Sequence, residues 1–478
     1  MSVSDTPDTL YLQVAQQVEG AIRAGGLREG ERIPSIRRFS RQLNVSVSTV
    51  SLAYQALERK GLIVARERSG FYVASERRRP PEPVTMLPAP YVGDVTVGEL
   101  IAQVLKAGRD PELVPLGIGS PHPSLFPQQR LSRILRQVCL EQPESFTRYD
   151  YAPGTSEFRK EIARYALEVG YTVAPEEIVT TCGAMEAIFL SLRAVAGPGD
   201  AIAVEAPCYY GFLQALEALG MRAVEIPSHP VDGICLEDLA QAIVTHGVKA
   251  CLLMPTFNNP TGILLSDAKK RALVELITRH GVPLIEDDLH GDLALDGSRP
   301  KPCKAFDTQG LVILCASFSK TLSPGLRVGW CAAGRFQQRI ELLKVASTLS
   351  GPGLSQIAIA RFLQQGGYRH HLKGMHAVMR DAVDRAVQAV LEAFPAGTKV
   401  GRPQGGFYLW LELPESLDSR TVFRLGLERG VCTTPGPVFS ASGSFQSCLR
   451  LSCCHPWSPR IAEGIETLGR LTYELLEA

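Results

Sequence analysis

The sequence predicts an α/β chain in two unequal parts, a small helical module closed by a hairpin and a large body with a mostly parallel central sheet. Three observations carry this. Over residues 8–76, apolar positions recur at helical spacing three times and then give way to two short strand-like runs. From about residue 111, short apolar runs alternate with helical patterns, and polar and glycine residues collect just past the ends of the runs. Charge is also unevenly divided. Residues 1–80 hold thirteen Lys/Arg against eight Asp/Glu, a net of +5, while the other 398 residues net −4. The whole-chain value of +1 hides a basic head on a slightly acidic body.

In the head, Tyr11, Val14, Ala15, Val18 and Ile22 mark the inner face of a first helix, which Gly25-Gly26 ends. Ser35 can cap a second helix, with Ile36, Phe39 and Leu43 facing inward. Asn44-Val45-Ser46 is a tight connection. A third helix runs from about Ser48 to Lys60, with Val50, Ala53, Tyr54 and Leu57 inward and Gly61 as its stop. Leu62–Ala65 and Gly70–Val73 form a hairpin whose tip is Arg66-Glu67-Arg68-Ser69.

Three short helices followed by a basic-tipped hairpin make a winged helix-turn-helix. Its third helix is short enough to enter a major groove of double-stranded DNA. Ser48, Thr49, Ser51 and Gln55 lie on the outward face of that helix. Arg37, Arg66 and Arg68 suit backbone phosphates, where charge positions the protein and does not read sequence. A small protein-interaction bundle with solvated charges is the other reading of the same pattern.

Residues 77–110 read as a connector. Arg77-Arg78-Arg79-Pro80-Pro81-Glu82-Pro83 is charged and proline-rich, and Pro88 and Pro90 continue it. Twelve cysteines in a chain of 478 residues, with no CxxC pair and no histidine at zinc-finger spacing, read as small apolar residues of a reducing compartment. No metal site is expected. The first residues lack a basic, apolar leader, and no run is long enough to span a membrane. A cytoplasmic protein is therefore expected.

In the body, Ile178–Thr181, Ala201–Val204, Ala250–Leu253, Val282–Ile285 and Leu311–Leu314 are the expected strands. A C-terminal subdomain is expected from about residue 360. Five constellations follow strand ends. Lys320, within Ser317-Phe318-Ser319-Lys320-Thr321, offers an amine to an aldehyde, and Arg327 and the serines can hold a phosphate. Glu286-Asp287-Asp288 supplies a carboxylate able to keep a pyridine nitrogen protonated. Asn258-Asn259-Pro260-Thr261-Gly262 is a polar loop able to bond a phenolic oxygen. Cys182-Gly183-Ala184-Met185 is a strand-to-helix turn whose N–H groups can take a phosphate. Pro207-Cys208-Tyr209-Tyr210-Gly211 offers a ring for stacking. Each alone is weak; their shared placement is not.

Two resemblances sharpen this reading. Residues 10–74 resemble the GntR-type DNA-binding domain, through Arg32–Arg37, Leu43–Ser46, Thr49-Val50, Ala53-Tyr54 and Gly70–Val73. Val47 stands where that family often has arginine. Residues 115–470 are similar to fold type I enzymes of the aspartate aminotransferase kind, which implies pyridoxal 5'-phosphate as cofactor. The catalytic candidates are Lys320, Asp287 and His290; the resemblance implies that Lys320 carries the internal aldimine and that Asp287 pairs the pyridine nitrogen. It implies Asn259 at the ring hydroxyl and Tyr209 stacked on the ring. It places Gly183, Ala184, Met185, Ser317 and Arg327 around the phosphate, with Tyr149 reaching the phosphate of a neighbouring subunit. It implies Arg450 as the grip on a ligand carboxylate, with Gly119 lining the same pocket. His290 stands where many relatives have a tyrosine that bonds the ring oxygen; the expectation is an imidazole that donates the same bond, with simple filling of the space as the other reading.

A GntR-like head on an aminotransferase-like body resembles the MocR, or GabR-like, regulators. That family implies a homodimer that binds DNA and senses the cofactor together with a small amine or amino acid. Two other readings stay open: an aminotransferase with an accessory head, and a catalytically dead dimerisation scaffold.

Overall fold

The computed structural model describes residues 7–23, 26–28, 30–59, 62–66, 69–73, 81–95 and 98–477. They fall into two compact units divided between Pro80 and Pro81.

In the first unit the helices are Pro7–Arg23, Ile36–Leu43 and Val47–Arg59. Ser35 accepts from the Arg38 N–H and caps the second, and Asn44 ends it in the left-handed region at φ 51°. The third begins one residue earlier than its periodicity suggests. Ser46 Oγ accepts from the Thr49 N–H at 3.0 Å, so Ser46 is the cap and Val47 the first helical residue. Ile63–Arg66 pairs antiparallel with Gly70–Val73. The expected inner faces meet in one core of Val14, Ala15, Val18, Phe39, Val50, Ala53, Tyr54, Leu57, Ile63 and Val73.

In the second unit a nine-stranded sheet runs in the order Tyr91–Gly93, Arg222–His229, Ala201–Ala206, Ala250–Leu253, Leu284–Asp287, Val312–Ser317, Gly329–Ala332, Ile178–Thr181, with Gly233–Ile234 paired onto the second of these. The five strands from Arg222–His229 to Val312–Ser317 are parallel neighbours. Gly329–Ala332 runs antiparallel between Val312–Ser317 and Ile178–Thr181. The central strands are buried along their whole length, which is why they read as continuous apolar runs and not as alternating ones. A second, antiparallel sheet of Lys399–Val400, Tyr408–Glu412, Cys448–Ser452 and Thr434–Pro435 packs with the helices Tyr368–Ala393 and Pro459–Glu477.

The connector expected over 77–110 is shorter than its composition suggests. From residue 81 the chain is part of the large unit. Val84 and Thr85 donate backbone N–H bonds to Glu412 Oε2, Tyr91–Gly93 joins the sheet edge, and Gly98–Ala107 is a helix with Ile101 and Val104 buried. Prolines here shape an extended segment that packs on the body through isolated apolar side chains such as Leu87, a pattern without periodicity. Residues 77–79 lie outside the described residues.

Candidate functional site

On the head, Arg37 and Ser48 are exposed, while Thr49 and Ser51 are half-buried. Ser46 Oγ lies 2.7 Å from both the Ser48 and Thr49 hydroxyls, so these two groups brace the helix start before they meet any partner. The same face also exposes Val47 at 52% and Leu52 at 47%. Sequence reasoning did not single out Leu52, because an apolar residue off the inner stripe carries no chemical signal. Arg68, Gly25, Gly61 and the side chains of Gln55 and Arg66 lie outside the described residues.

In the body, the ends of the parallel strands bring the other predicted groups together. Asp287 closes its strand and is 1% exposed; its carboxylate accepts the Leu289 N–H at 3.0 Å. Burial raises its pKa to about 7 against the Leu289 bond. Lys320 follows the next strand, and its Nζ donates to Gly119 O at 2.5 Å. Burial lowers the ammonium to about 8; Cys454 and Asp287 oppose that shift and Arg450 adds to it. Gly119 is tightly framed, since a Cβ there would stand 2.4 Å from the Tyr408 hydroxyl oxygen.

The helix Ala184–Val195 opens at Gly183, whose φ of 94° suits glycine, and no side chain caps it. Its first N–H groups are thus available to an anion. A Cβ on Gly183 would lie 2.6 Å from Arg327 Nη2, so the turn and the guanidinium must sit together. Arg327 Nη2 donates to Cys182 O at 2.6 Å. Glu186, in the same first turn, is neutralised by buried Lys344 at 2.7 Å. Ser317 Oγ accepts the Ser319 N–H at 3.3 Å. Tyr209 lies at the start of the helix Tyr210–Ala218, half-buried against Tyr210 and Phe212. Tyr149 is 62% exposed and rests on Tyr151.

Arg450 is the most unusual group. It is 1% exposed, and among the described residues no carboxylate pairs with it. It donates to Asn259 Oδ1 at 3.0 Å, Gly117 O at 2.8 Å and Thr434 Oγ1 at 3.1 Å, while its Nε has no partner. Tyr408 and Phe439 flank the guanidinium at 4.4 and 5.1 Å. Sequence reasoning missed Tyr408, Gly117, Thr434 and Cys454. The Cys454 Sγ lies 3.0 Å from Ser120 O and 3.4 Å from Ile118 O, so residues 117–120 present carbonyls in turn to Arg450, Cys454, Lys320 and Cys454. The Gly117-Ile118-Gly119 spacing was the available clue to so close a backbone approach.

The donor set fits pyridoxal phosphate. There is an uncapped helix start beside an arginine, a buried carboxylate with no cation bonded to it, an amine of lowered pKa and an unpartnered His290 Nε2.

Residues 111–468 match the aminotransferase class I and II family, and residues 10–73 match the bacterial regulatory proteins of the gntR family. The chain is 39% identical to the uncharacterized HTH-type transcriptional regulator YdcR of Escherichia coli, over 98% of this chain and 99% of that one. It is 37% identical to a second such Escherichia coli protein, YjiR, over 98% of this chain and all of the other. The chain belongs to the MocR-type regulators. The body of this MocR-type chain also superposes on LysN, the α-aminoadipate aminotransferase of Thermus thermophilus, solved with N-(5'-phosphopyridoxyl)-L-leucine. The TM-score is 0.73 at 29% identity, covering 80% of this chain and 96% of that one. The cofactor of the MocR-type body is pyridoxal 5'-phosphate.

The raised Asp287 carboxyl has a thermodynamic consequence. With an ordinary value of 3.8 and a folded value of about 7, it contributes stability that is full below about pH 4 and lost as pH rises through 7. Glu205 and Glu286, also raised to about 7 by burial, act in the same direction, and the lowered His290 and His455 oppose them. In cofactor-free protein Asp287→Asn is therefore expected to lower the melting temperature at acid pH relative to neutral, and so to shift the slope between about pH 4 and 7 away from wild type. Calorimetry at a series of pH values checks this; identical slopes for the two proteins refute it.

Proposed function

We propose that this MocR-type regulator binds double-stranded DNA through its head and reads a carboxylate-bearing amine, together with pyridoxal phosphate, at the Lys320 site. When bound, the cofactor supplies an aldehyde open to amine attack and an electron-withdrawing ring. Lys320 holds the aldehyde carbon, Asp287 the ring nitrogen, Asn259 the ring hydroxyl and Tyr209 the ring face. Gly183, Ala184, Met185, Ser317 and Arg327 take the phosphate, and Tyr149 serves a second copy in a homodimer in the cytoplasm. Arg450 carries the reading of the effector. A buried guanidinium with an idle Nε and no anionic partner among the described residues is an expensive arrangement unless a ligand carboxylate completes it.

On DNA, Arg37, Arg66 and Arg68 engage phosphates, and Ser48, Thr49, Ser51 and Gln55 face the groove. Exposed Val47 and Leu52 suit thymine methyl groups. The test is one set of samples with two readouts. α- and ω-amino acids are titrated into cofactor-loaded protein by absorbance, and a DNA shift on a fragment from upstream of the protein's own coding region is run at each point. An amino acid that moves both signals supports the proposal; amines that move neither sink it. The intact set of Lys320, Asp287 and Arg450 also favours a second reading, an aminotransferase with an accessory head. Steady keto-acid production without any DNA shift would decide for that.

A further inference from the structure

We infer that His290 acts toward the bound cofactor as a hydrogen-bond acceptor, and that it keeps the cofactor's ring hydroxyl in its protonated form. The inference rests on the pyridoxal phosphate reading and adds to it the direction of one hydrogen bond, opposite to the donor role expected from sequence.

His290 Nδ1 lies 3.1 Å from Phe257 O. A carbonyl oxygen can only accept, so Nδ1 carries the proton. Phe257 reaches that position with a left-handed φ of 54°, an unfavourable conformation for a bulky side chain, so the loop is held to a specific shape. The ring is 1% exposed and packs on Phe407 and Tyr408 at 5.5 and 5.6 Å between centroids. Burial, helped by the charges on Lys320 and Arg450, lowers the imidazole to about 3. The ring is therefore neutral in working conditions. Its Nε2 is a bare lone pair, buried and without a partner among the described residues. An orphan acceptor of this kind costs about 1–3 kcal/mol, so its place in the pocket calls for a donor from whatever binds there.

Pyridoxal phosphate has two ring groups that can donate, a protonated ring nitrogen and the hydroxyl ortho to the aldehyde. Asp287 is the acceptor suited to the first. The hydroxyl adjoins the aldehyde carbon assigned to Lys320, and His290 belongs to the cluster that holds Asn259: its ring packs on Tyr408, Tyr408 lies on the Arg450 guanidinium, and Arg450 bonds Asn259. Asn259 fixes the remaining direction. Its Oδ1 already accepts from Arg450 Nη1 at 3.0 Å, which leaves its amide N–H₂ as the donor. The hydroxyl is thus offered one donor, Asn259, and one acceptor, His290. An acceptor stabilises the protonated hydroxyl and a second donor would stabilise its anion. The other titratable groups around this pocket are Asp287, Tyr209, Tyr210, Arg327, Tyr408 and Cys454.

The test is the absorbance of cofactor-loaded, full-length protein from about pH 6 to 9, because ionising a phenolic hydroxyl extends its conjugation and moves its band to longer wavelength. Wild type is expected to keep the short-wavelength, protonated-hydroxyl band dominant through neutral pH. His290→Tyr, which restores a donor, is expected to ionise the hydroxyl at least about one pH unit lower, a tenfold shift in the equilibrium. His290→Phe, with neither donor nor acceptor, should fall between them. Superimposable curves for wild type and His290→Tyr, or a wild type already ionised at neutral pH, overturn the inference. If the variants do not load, ¹⁵N spectra of histidine-labelled wild type decide. Loading should move the His290 Nε2 resonance as an accepted hydrogen bond does, and an unmoved resonance counts against it. Wild type that binds no cofactor at all would instead overturn the parent reading.

Discussion

Lys320→Ala protein is expected to lose every trace of covalently held cofactor. After loading, borohydride reduction and denaturation, wild type should carry about one label per chain and the variant none. The effect follows from position: Lys320 Nζ is the amine that the strand end Val312–Ser317 delivers beside buried Asp287. The pH dependence carries its own signature. An unperturbed lysine becomes a free amine near 10.5, whereas burial brings this one to about 8. Below that value the free amine falls about tenfold per pH unit, so the rate of capture should climb steeply up to pH 8 and then level off. A rate still climbing at pH 10 would show that the pocket does not tune this lysine. Label retained in Lys320→Ala would place the reactive amine elsewhere. Either result can be read without any DNA.

How much of this was legible in the chain depends on what each residue does. Core strands such as Ala201–Ala206 and Val312–Ser317 were readable because parallel strands buried on both faces are apolar without interruption. The site residues at their ends were readable as types, since an amine, a carboxylate and an uncapped glycine turn each bring distinct chemistry. Directions of hydrogen bonds were not readable. The sequence places an imidazole at position 290, but not the Phe257 carbonyl that accepts the hydrogen bond from its Nδ1. Of residues 117–120 only Gly119 was placed at the pocket from sequence; the others contribute backbone carbonyls, which every residue has, and the glycine spacing was their one signal. Residues 81–95 and 98–107 read as connector because they add one edge strand and one helix to a body they do not resemble in composition. Leu52 is exposed in the structure but has no distinguishing chemistry in the sequence.

Arg450→Met is expected to abolish the effector response while leaving cofactor loading near wild type. Methionine roughly fills the slot between Tyr408 and Phe439 and removes the charge. Two terms oppose each other in the ligand-free chain. Losing a buried, carboxylate-free guanidinium relieves a desolvation cost, while Gly117 O, Asn259 Oδ1 and Thr434 Oγ1 lose their donor. The net change in stability should be small, a melting shift of no more than about 4 °C. Binding has no such offset. A ligand carboxylate brought to this pocket would meet no cation able to grip it, and losing one side of a buried charge pair costs about 2–5 kcal/mol, roughly 30- to several-thousand-fold in affinity. The amino-acid titration followed by absorbance should therefore require concentrations beyond reach, and the DNA shift should stop responding to amino acids. Arg450→Lys separates charge from shape. It keeps the cation but cannot reproduce the fork that spans Asn259, Gly117 and Thr434, so a partial response is expected. Full effector response in Arg450→Met would mean that the carboxylate lies elsewhere. A large fall in melting temperature with binding intact would make Arg450 a structural link between the strand Cys448–Ser452 and residues 117–120. The pairing of small stability loss with large affinity loss is the result that only a ligand-directed arginine gives.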